Sequence, residues 1–267
     1  MIQSSLVLFY SAKTIGTGIH PPIVVCSFQF ATPDPDSTLG NLTGKHILCL
    51  AAGGGRQSIA FALLGANVSI LDLSAEQLER DRQMAHYYNL QLTLQQGDMR
   101  DLSMFAPHTF DMVYHPYSLN FVPDSDAVFQ QVRGVLKVGG LYRLMCANPF
   151  ALGVSSSDWN GTGYPLKLNY LQGQQIHCSD EDWVYDRKLH EAILPPVEYR
   201  QTLSKLINGL VANAFVILSL QETGAIKSSY EAAPGTWDHL SSVLPPWLNI
   251  DSTYRPDVFG MDARFPA

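Results

Sequence analysis

Gly53, Gly54 and Gly55 come directly after the apolar run "KHILCLAA", and 19 residues beyond the first of them stands Asp72. A glycine turn between a strand and a helix lets backbone amides and a ligand approach closely. In a dinucleotide site the spacing G-x-G-x-x-G sets a pyrophosphate against the helix's unpaired amides and positive end. Here the third glycine of that spacing is absent, since Arg56, Gln57 and Ser58 follow. Asp72 closes a second apolar run, "ANVSILD", at a place where a carboxylate can accept from both hydroxyls of a ribose. Ser74 is the better cap for the helix that follows, which leaves Asp72 to a ligand. A nucleoside cofactor is expected, and dehydrogenases and methyltransferases both fit at this point.

His115 ends the run "FDMVYH", at the carboxyl end of a fourth strand, where an open sheet faces its ligands. That position makes it a general-base candidate; bracing the loop through its ring, or touching a cofactor through its backbone, are the alternatives. Tyr114, Tyr117 and Trp159 offer aromatic faces that stack an acceptor or attract a cation. Tyr10, His177 and His190 lie in segments that could cover such a site. In "QQGDMR", Asp98 either serves a ligand or closes an Asx turn.

These residues need a scaffold, and the chain alternates strand and helix patterns. "KHILCLA", "ANVSILDLS", "QLTLQQGD" and "FDMVYHPYS" read as strands, with helices at "SIAFALLG" and "SAEQLERDRQMAHYYN", the second opened by Ser74 and Gln77 at capping-box spacing. "DAVFQQVRGVLKVGGLYRLMCANP" reads as helix, Gly-Gly turn and fifth strand, and "EYRQTLSKLINGLVANAFVILSLQE" as helix and sixth strand, with a last strand expected at "PDVFGMDARF". Such alternation means a mainly parallel sheet covered by helices on both faces. Residues 1–44 read as an N-terminal cap segment with one short strand, 45–150 as a cofactor-binding core, 151–198 as a lid insertion with a hairpin around "LKLNYLQGQQIHC", and 199–267 as the remainder of the core.

Composition narrows the function. The formal charge is −7 and no Lys/Arg run occurs, which argues against nucleic acid, whose binding needs clustered cations to displace counterions. No apolar run approaches the roughly 18 residues of a membrane span. The four cysteines, Cys26, Cys49, Cys146 and Cys178, show no metal or disulfide spacing, and a cytoplasmic protein without a metal is expected.

In order, "ILCLAAGGGRQS", "ILDLSAEQLE", "GDMRDL", "FDMVYHP" and "VLKVGGLYRL" resemble the class I S-adenosylmethionine-dependent methyltransferases of the small-molecule type. The resemblance runs from about residue 45 to 149 and continues weakly through the sixth strand. It implies an α/β, Rossmann-like, mainly parallel seven-stranded sheet with an antiparallel last strand, S-adenosylmethionine as cofactor and S-adenosylhomocysteine as product. It further implies that Ala51, Gly53 and Gly55 line the amino-acid end of the cofactor, that Asp72 holds the ribose and Leu73 packs on the adenine, and that Asp98 accepts from the adenine amino group beside a backbone contact at Met99. Gln77, Gly97 and His115 complete the implied cofactor set. Many relatives carry an acid where Cys49 stands and a glycine where Ala51 stands; an alanine there is expected to keep a negative φ. The implied activity is methyl transfer to oxygen or nitrogen of a small molecule. A non-catalytic cofactor binder of the same fold and a nicotinamide-dependent dehydrogenase are the other readings.

Overall fold

The computed structural model describes residues 39–177, 197–224 and 231–260. The N-terminal strand expected in "IVVCSFQF" lies outside them.

Among the described residues, nine strands and five α-helices follow one another as β1 (His46–Leu50), α1 (Gln57–Leu63), β2 (Asn67–Asp72), α2 (Ala75–Tyr87), β3 (Leu92–Gln96), β4 (Phe110–His115), α3 (Ser125–Val135), β5 (Leu136–Ala147), β6 (Gln175–His177), β7 (Val197–Tyr199), α4 (Leu203–Ala212), β8 (Phe215–Thr223), α5 (Trp237–Val243) and β9 (Trp247–Tyr254). Seven strands form one sheet in the order β3-β2-β1-β4-β5-β9-β8. The first five run parallel, and β9 is antiparallel to both β5 and β8. The remaining pair, β6 and β7, makes a small antiparallel ribbon.

Strand alternation sorts the core into two layers. From β1, Leu48 and Leu50 pack with Val128, Phe129 and Val132 of α3 and Leu206 and Leu210 of α4, while Ile47 and Cys49 pack with Phe61 of α1 and Leu78 of α2. Both faces of β1 are therefore buried, which is why its sequence is a continuous apolar run. The helix starts follow capping chemistry. Ser74 accepts from the Gln77 amide, Asp124 from the Asp126 amide, Thr202 from the Lys205 amide and Thr236 from the His239 amide. Only half of the expected capping box forms, because the Gln77 side chain accepts from Arg80 instead of reaching back to Ser74.

Three sequence expectations are corrected. The last strand is "WLNIDSTY", not "PDVFGMDARF", whose first residues form turns, with Val258 and Phe259 donating to Arg255 and Pro256. The alternation of β9 between buried and half-buried residues is masked in sequence by four polar side chains, Asn249, Asp251, Ser252 and Thr253. The Gly-Gly turn after α3 is absorbed into β5: its register against β4 jumps between Phe110 and Met112, and Gly139 takes φ +79. The hairpin expected around "LKLNYLQGQQIHC" is replaced by pairing of Gln175–His177 with the distant Val197–Tyr199.

Candidate functional site

The chain runs from β1 outward to β2 and β3, then returns to the other side of β1 as β4 and β5. Strand order reverses between β1 and β4, and the crevice beyond their carboxyl ends is where open α/β sheets bind ligands.

The turn leaving β1 is held from both sides. The Ala51 amide still donates to the Leu71 carbonyl at 2.7 Å, extending the pairing with β2. The Gly53 amide donates to Asp72 Oδ2 at 2.8 Å, and the Gly54 amide to Asp81 Oδ2 at 2.7 Å. A Cβ on Gly53 would stand 2.7 Å from the Gln77 Cβ and 2.9 Å from Asp72 Oδ2; one on Gly55 would stand 2.8 Å from Met84 Cγ. Two of the three glycines are thus required by the close approach of the turn to β2 and α2, in addition to any ligand. Gly54 and Gly55 also take φ +124 and +73. Ala51 takes φ +48, which corrects the expectation of a negative φ. Its methyl group bears the left-handed strain that glycine avoids, about 1–2 kcal/mol, and the ladder bond to Leu71 holds it there.

Asp72 is half-buried, with Oδ1 accepting from the Ser74 amide at 2.9 Å in addition to the Gly53 bond on Oδ2. A carboxylate has about four acceptor sites, so capacity remains for ribose hydroxyls. Beside it Leu73 is 70% exposed, an apolar side chain at a strand end. The Gly97 amide donates to the Asp72 carbonyl, which brings the end of β3 alongside, and Met99 packs against the core. Asp98 takes the turn role: it accepts from the Arg100 amide at 2.8 Å and is clasped by the Arg100 guanidinium at 2.5 Å, which holds its carboxyl below the usual range.

His115 does not face the crevice. It is wholly buried, on the side of the sheet that carries Val113 and Tyr142. Its Nδ1 lies 2.8 Å from the Tyr142 hydroxyl and its Nε2 2.7 Å from Ser118 Oγ, which in turn donates to the Pro116 carbonyl. That last bond makes Ser118 the acceptor from Nε2–H, so Nδ1 accepts from Tyr142 and the ring is neutral. Burial lowers its pKa to about 3 and pushes the Tyr142 hydroxyl well above its ordinary value. Both nitrogens are occupied within the core, and the side chain is a brace under the β4 loop. This corrects the general-base expectation.

The aromatic candidates separate. Tyr114 turns to the opposite face, where its ring meets Phe61 edge-on at 5.2 Å and burial pushes its hydroxyl up to about 12. Trp159 packs with Tyr164 and His239 at centroid distances of 5.1 and 5.0 Å, and the Tyr164 hydroxyl meets His239 Nδ1 at 2.8 Å; these contacts are packing between the insertion and α5. His177 is exposed on β6. Tyr117, in the loop after β4, donates from its hydroxyl to the buried Glu198 of β7 at 2.8 Å. Tyr10 and His190 lie outside the described residues.

Sequence reasoning missed Asp81 and Glu198, the two buried carboxylates among the described residues. For Asp81 a signal existed: Leu78, Asp81 and Ala85 form the buried stripe of α2 at spacings of three and four, so a charge stands in an apolar row. Glu198 sits in a three-residue strand far from β4 in sequence, and no local pattern marks it.

The residues present suit an adenosyl cofactor. The turn has no side chains where it meets Asp72, Asp72 keeps free acceptor capacity, and Leu73 offers an uncovered apolar surface beside it. Sheet order, antiparallel β9 and the acid at the end of β2 define a Rossmann-like domain of the nucleoside-cofactor class. Comparison with known proteins narrows this further. A methyltransferase domain family matches residues 47–140. The chain is 38% identical over 183 residues to the uncharacterized methyltransferase YbaJ of Bacillus subtilis, covering 68% of this chain and 69% of that one. It is 32% identical over 127 residues to a ubiquinone biosynthesis O-methyltransferase of Xanthomonas euvesicatoria, covering 46% of this chain and 53% of the relative. In fold it is similar to an S-adenosylmethionine-dependent methyltransferase of Mesorhizobium loti, with a TM-score of 0.62 at 22% identity over 80% of this chain and 93% of that one. The chain belongs to the class I S-adenosylmethionine-dependent methyltransferases, and S-adenosylmethionine is its cofactor. No helix among the described residues is long and apolar enough to cross a membrane.

Proposed function

We propose that the protein transfers the cofactor's methyl group to an oxygen or nitrogen atom of a small molecule by in-line displacement. The observation that carries this reading is the arrangement at the carboxyl ends of β1 and β2: a side-chain-free turn bonded to a half-buried Asp72, next to an exposed Leu73. The cofactor supplies the reactive methyl, so the chain's task is to bind, orient and exclude water. Asp72 holds the ribose hydroxyls, Leu73 and Gln77 flank the adenosine, Ala51, Gly53 and Gly55 border the amino-acid end, and Gly97 and Met99 offer backbone contacts to the base. Asp98, already engaged with Arg100, orders the turn that presents them and remains available to the adenine amino group. The acceptor enters beside β4, where Tyr117 and Glu198 form the polar wall and residues 151–177 serve as cover; residues 178–196 of the expected lid insertion lie outside the described residues. Oxygen is the first choice of acceptor atom, supported by the O-methyltransferase relative, with nitrogen second.

Titration calorimetry with S-adenosylmethionine, followed by turnover assays over phenols, carboxylic acids and amines, tests the proposal. Binding together with methylation of one acceptor class is the expected outcome; absence of binding at millimolar cofactor refutes the reading. A second reading, a cofactor binder that does not turn over, is motivated by the strained Ala51 and by Cys49 in place of an acid. Tight binding with no methylation of any acceptor would favour it.

A further inference from the structure

We propose that Asp81 is a positioning residue that determines cofactor specificity, by making the glycine turn a site for a cation instead of a phosphate. This rests on S-adenosylmethionine being the cofactor and goes beyond it, because it states how the turn recognises that molecule's charge.

A glycine turn at the start of a helix ordinarily holds anions, because its successive amides point at the ligand and the helix adds its positive end. Here the amides are already taken by the protein's own carboxylates. Gly53 donates to Asp72 Oδ2 at 2.8 Å and Gly54 to Asp81 Oδ2 at 2.7 Å, and the Gly55 amide also bonds to Asp81. The Ser58 hydroxyl of α1 donates to Asp81 Oδ1. The helix beginning at Gln57 has seven residues and no acid in its first turn, so Asp81 comes to it from α2, across space.

The placement of Asp81 is fixed on every side. Its residue is 0% exposed, it stands on the buried stripe between Leu78 and Ala85, and Ser58 opposite is likewise wholly buried. Burial pushes its pKa up, and the bonds from Ser58, Gly54 and Gly55 oppose that rise. Three donors converging on one carboxyl group are the arrangement an ionised carboxylate satisfies. Its charge reaches the ends of two strands: burial chiefly, and Asp81 after it, raise the Cys49 thiol at the end of β1, and Asp81 couples to Asp72 at the end of β2.

Two acids therefore bracket the turn in a poorly solvated place, where charges act more strongly than in water. A pyrophosphate would find its amides occupied and two negative charges behind them. A ligand that carries a sulfonium and an ammonium would find attraction from the same pair. The position of Cys49, where the sequence offers no acid, is served by a carboxylate delivered from α2. Asp81 acts through the turn and through its field; it is not placed against the methyl group.

The sulfonium gives the test its discriminating readout, because S-adenosylhomocysteine keeps the ammonium and loses that positive charge. Calorimetry is run on the full-length wild type, Asp81→Asn and Ser58→Ala, with S-adenosylmethionine, S-adenosylhomocysteine and inorganic pyrophosphate as titrants. Asp81→Asn is expected to weaken S-adenosylmethionine at least tenfold and S-adenosylhomocysteine less than threefold, with circular dichroism unchanged. Ser58→Ala, which keeps the carboxylate and removes one of its three donors, is expected to lose less S-adenosylmethionine affinity than Asp81→Asn, and the wild type is expected to show no pyrophosphate binding at millimolar concentration. Equal losses for the two cofactor forms would mean a structural role alone and overturn the proposal, as would no loss for either. Should Asp81→Asn not fold, pyrophosphate binding to the wild type that competes with S-adenosylmethionine would still overturn it. Wild type that fails to bind S-adenosylmethionine would instead refute the cofactor itself, a separate result.

Discussion

Acidification should unfold this protein partly through His115, and the effect can be sized. In the native state the ring is neutral, with Nδ1 accepting from Tyr142 and Nε2–H donating to Ser118, and its pKa is about 3. In the unfolded chain it returns to about 6.5. Between those values the unfolded state binds a proton that the native state refuses, so stability rises with pH across the window. The contribution is fully present above about pH 6.5 and is lost as pH falls toward 3, with a slope of up to about 1.4 kcal/mol per pH unit. By pH 4.5 the loss is on the order of 2–3 kcal/mol, a substantial part of the 5–15 kcal/mol of a typical domain. The comparison is His115→Gln, whose amide oxygen can accept from Tyr142 and whose amide nitrogen can donate to Ser118 without titrating. Urea unfolding of both proteins from pH 7.5 to 4.5 measures the difference, and carboxylates shared by the two cancel. The advantage of wild type over the variant should shrink by about 2–3 kcal/mol across that range. A difference flat within about 0.5 kcal/mol, the spread ordinary for additive measurements, would refute the assignment of a buried neutral ring. The same variant addresses catalysis: with an acceptor in hand, turnover should stay within about threefold, whereas a general base would cost about a hundredfold or more.

Other consequences follow from the same geometry. Ala51→Gly relieves the φ +48 strain; set against the extra freedom glycine has when unfolded, the net gain is zero to about 1 kcal/mol, or up to about 4 °C in Tm. Thermal melting checks this, and a loss above about 1 kcal/mol would show that the methyl group packs favourably. Asp72→Ala should weaken S-adenosylmethionine at least tenfold by calorimetry, about 1.4 kcal/mol; unchanged affinity would place the ribose elsewhere. Arg200 is 4% exposed and ties the Pro149 and Leu152 carbonyls to the end of β7. Lysine cannot span both acceptors with one planar fork, so Arg200→Lys should cost about 1–3 kcal/mol in urea unfolding, and an unaltered midpoint would show that the insertion is held by other contacts.

The strands and helices between residues 45 and 147 are legible because each carries a local pattern: two-faced burial makes apolar runs of β1 and β2, and the cap at Ser74 marks the start of α2. Legibility failed where an element is defined by a remote partner. Three residues of β7 have no period of their own and exist as a strand because Gln175–His177 lie beside them. In β9, half-buried Asp251 meets Arg143 of β5 at 2.8 Å, so a charged residue in a sheet strand is explained by a side chain 108 positions away.

The site divides along the same line. The structure brings together Asp72, the glycines and exposed Leu73, which a turn and a strand end announce in sequence, whereas His115 departs from the expectation for a physical reason. The end of β4 has two faces, and an imidazole on one meets ligand while on the other it meets Tyr142 and Ser118. A shift of one residue in the strand reverses that choice. Val113 and His115 share a face with the α3 and α4 layer, which places the ring in the core before any question of chemistry arises. For an enzyme whose cofactor brings its own leaving group, that outcome is chemically coherent. On the proposal made for Asp81, the carboxylates shape the turn and its field, so the fold must first bury Asp81 correctly, and a residue that packs and a residue that binds become the same residue.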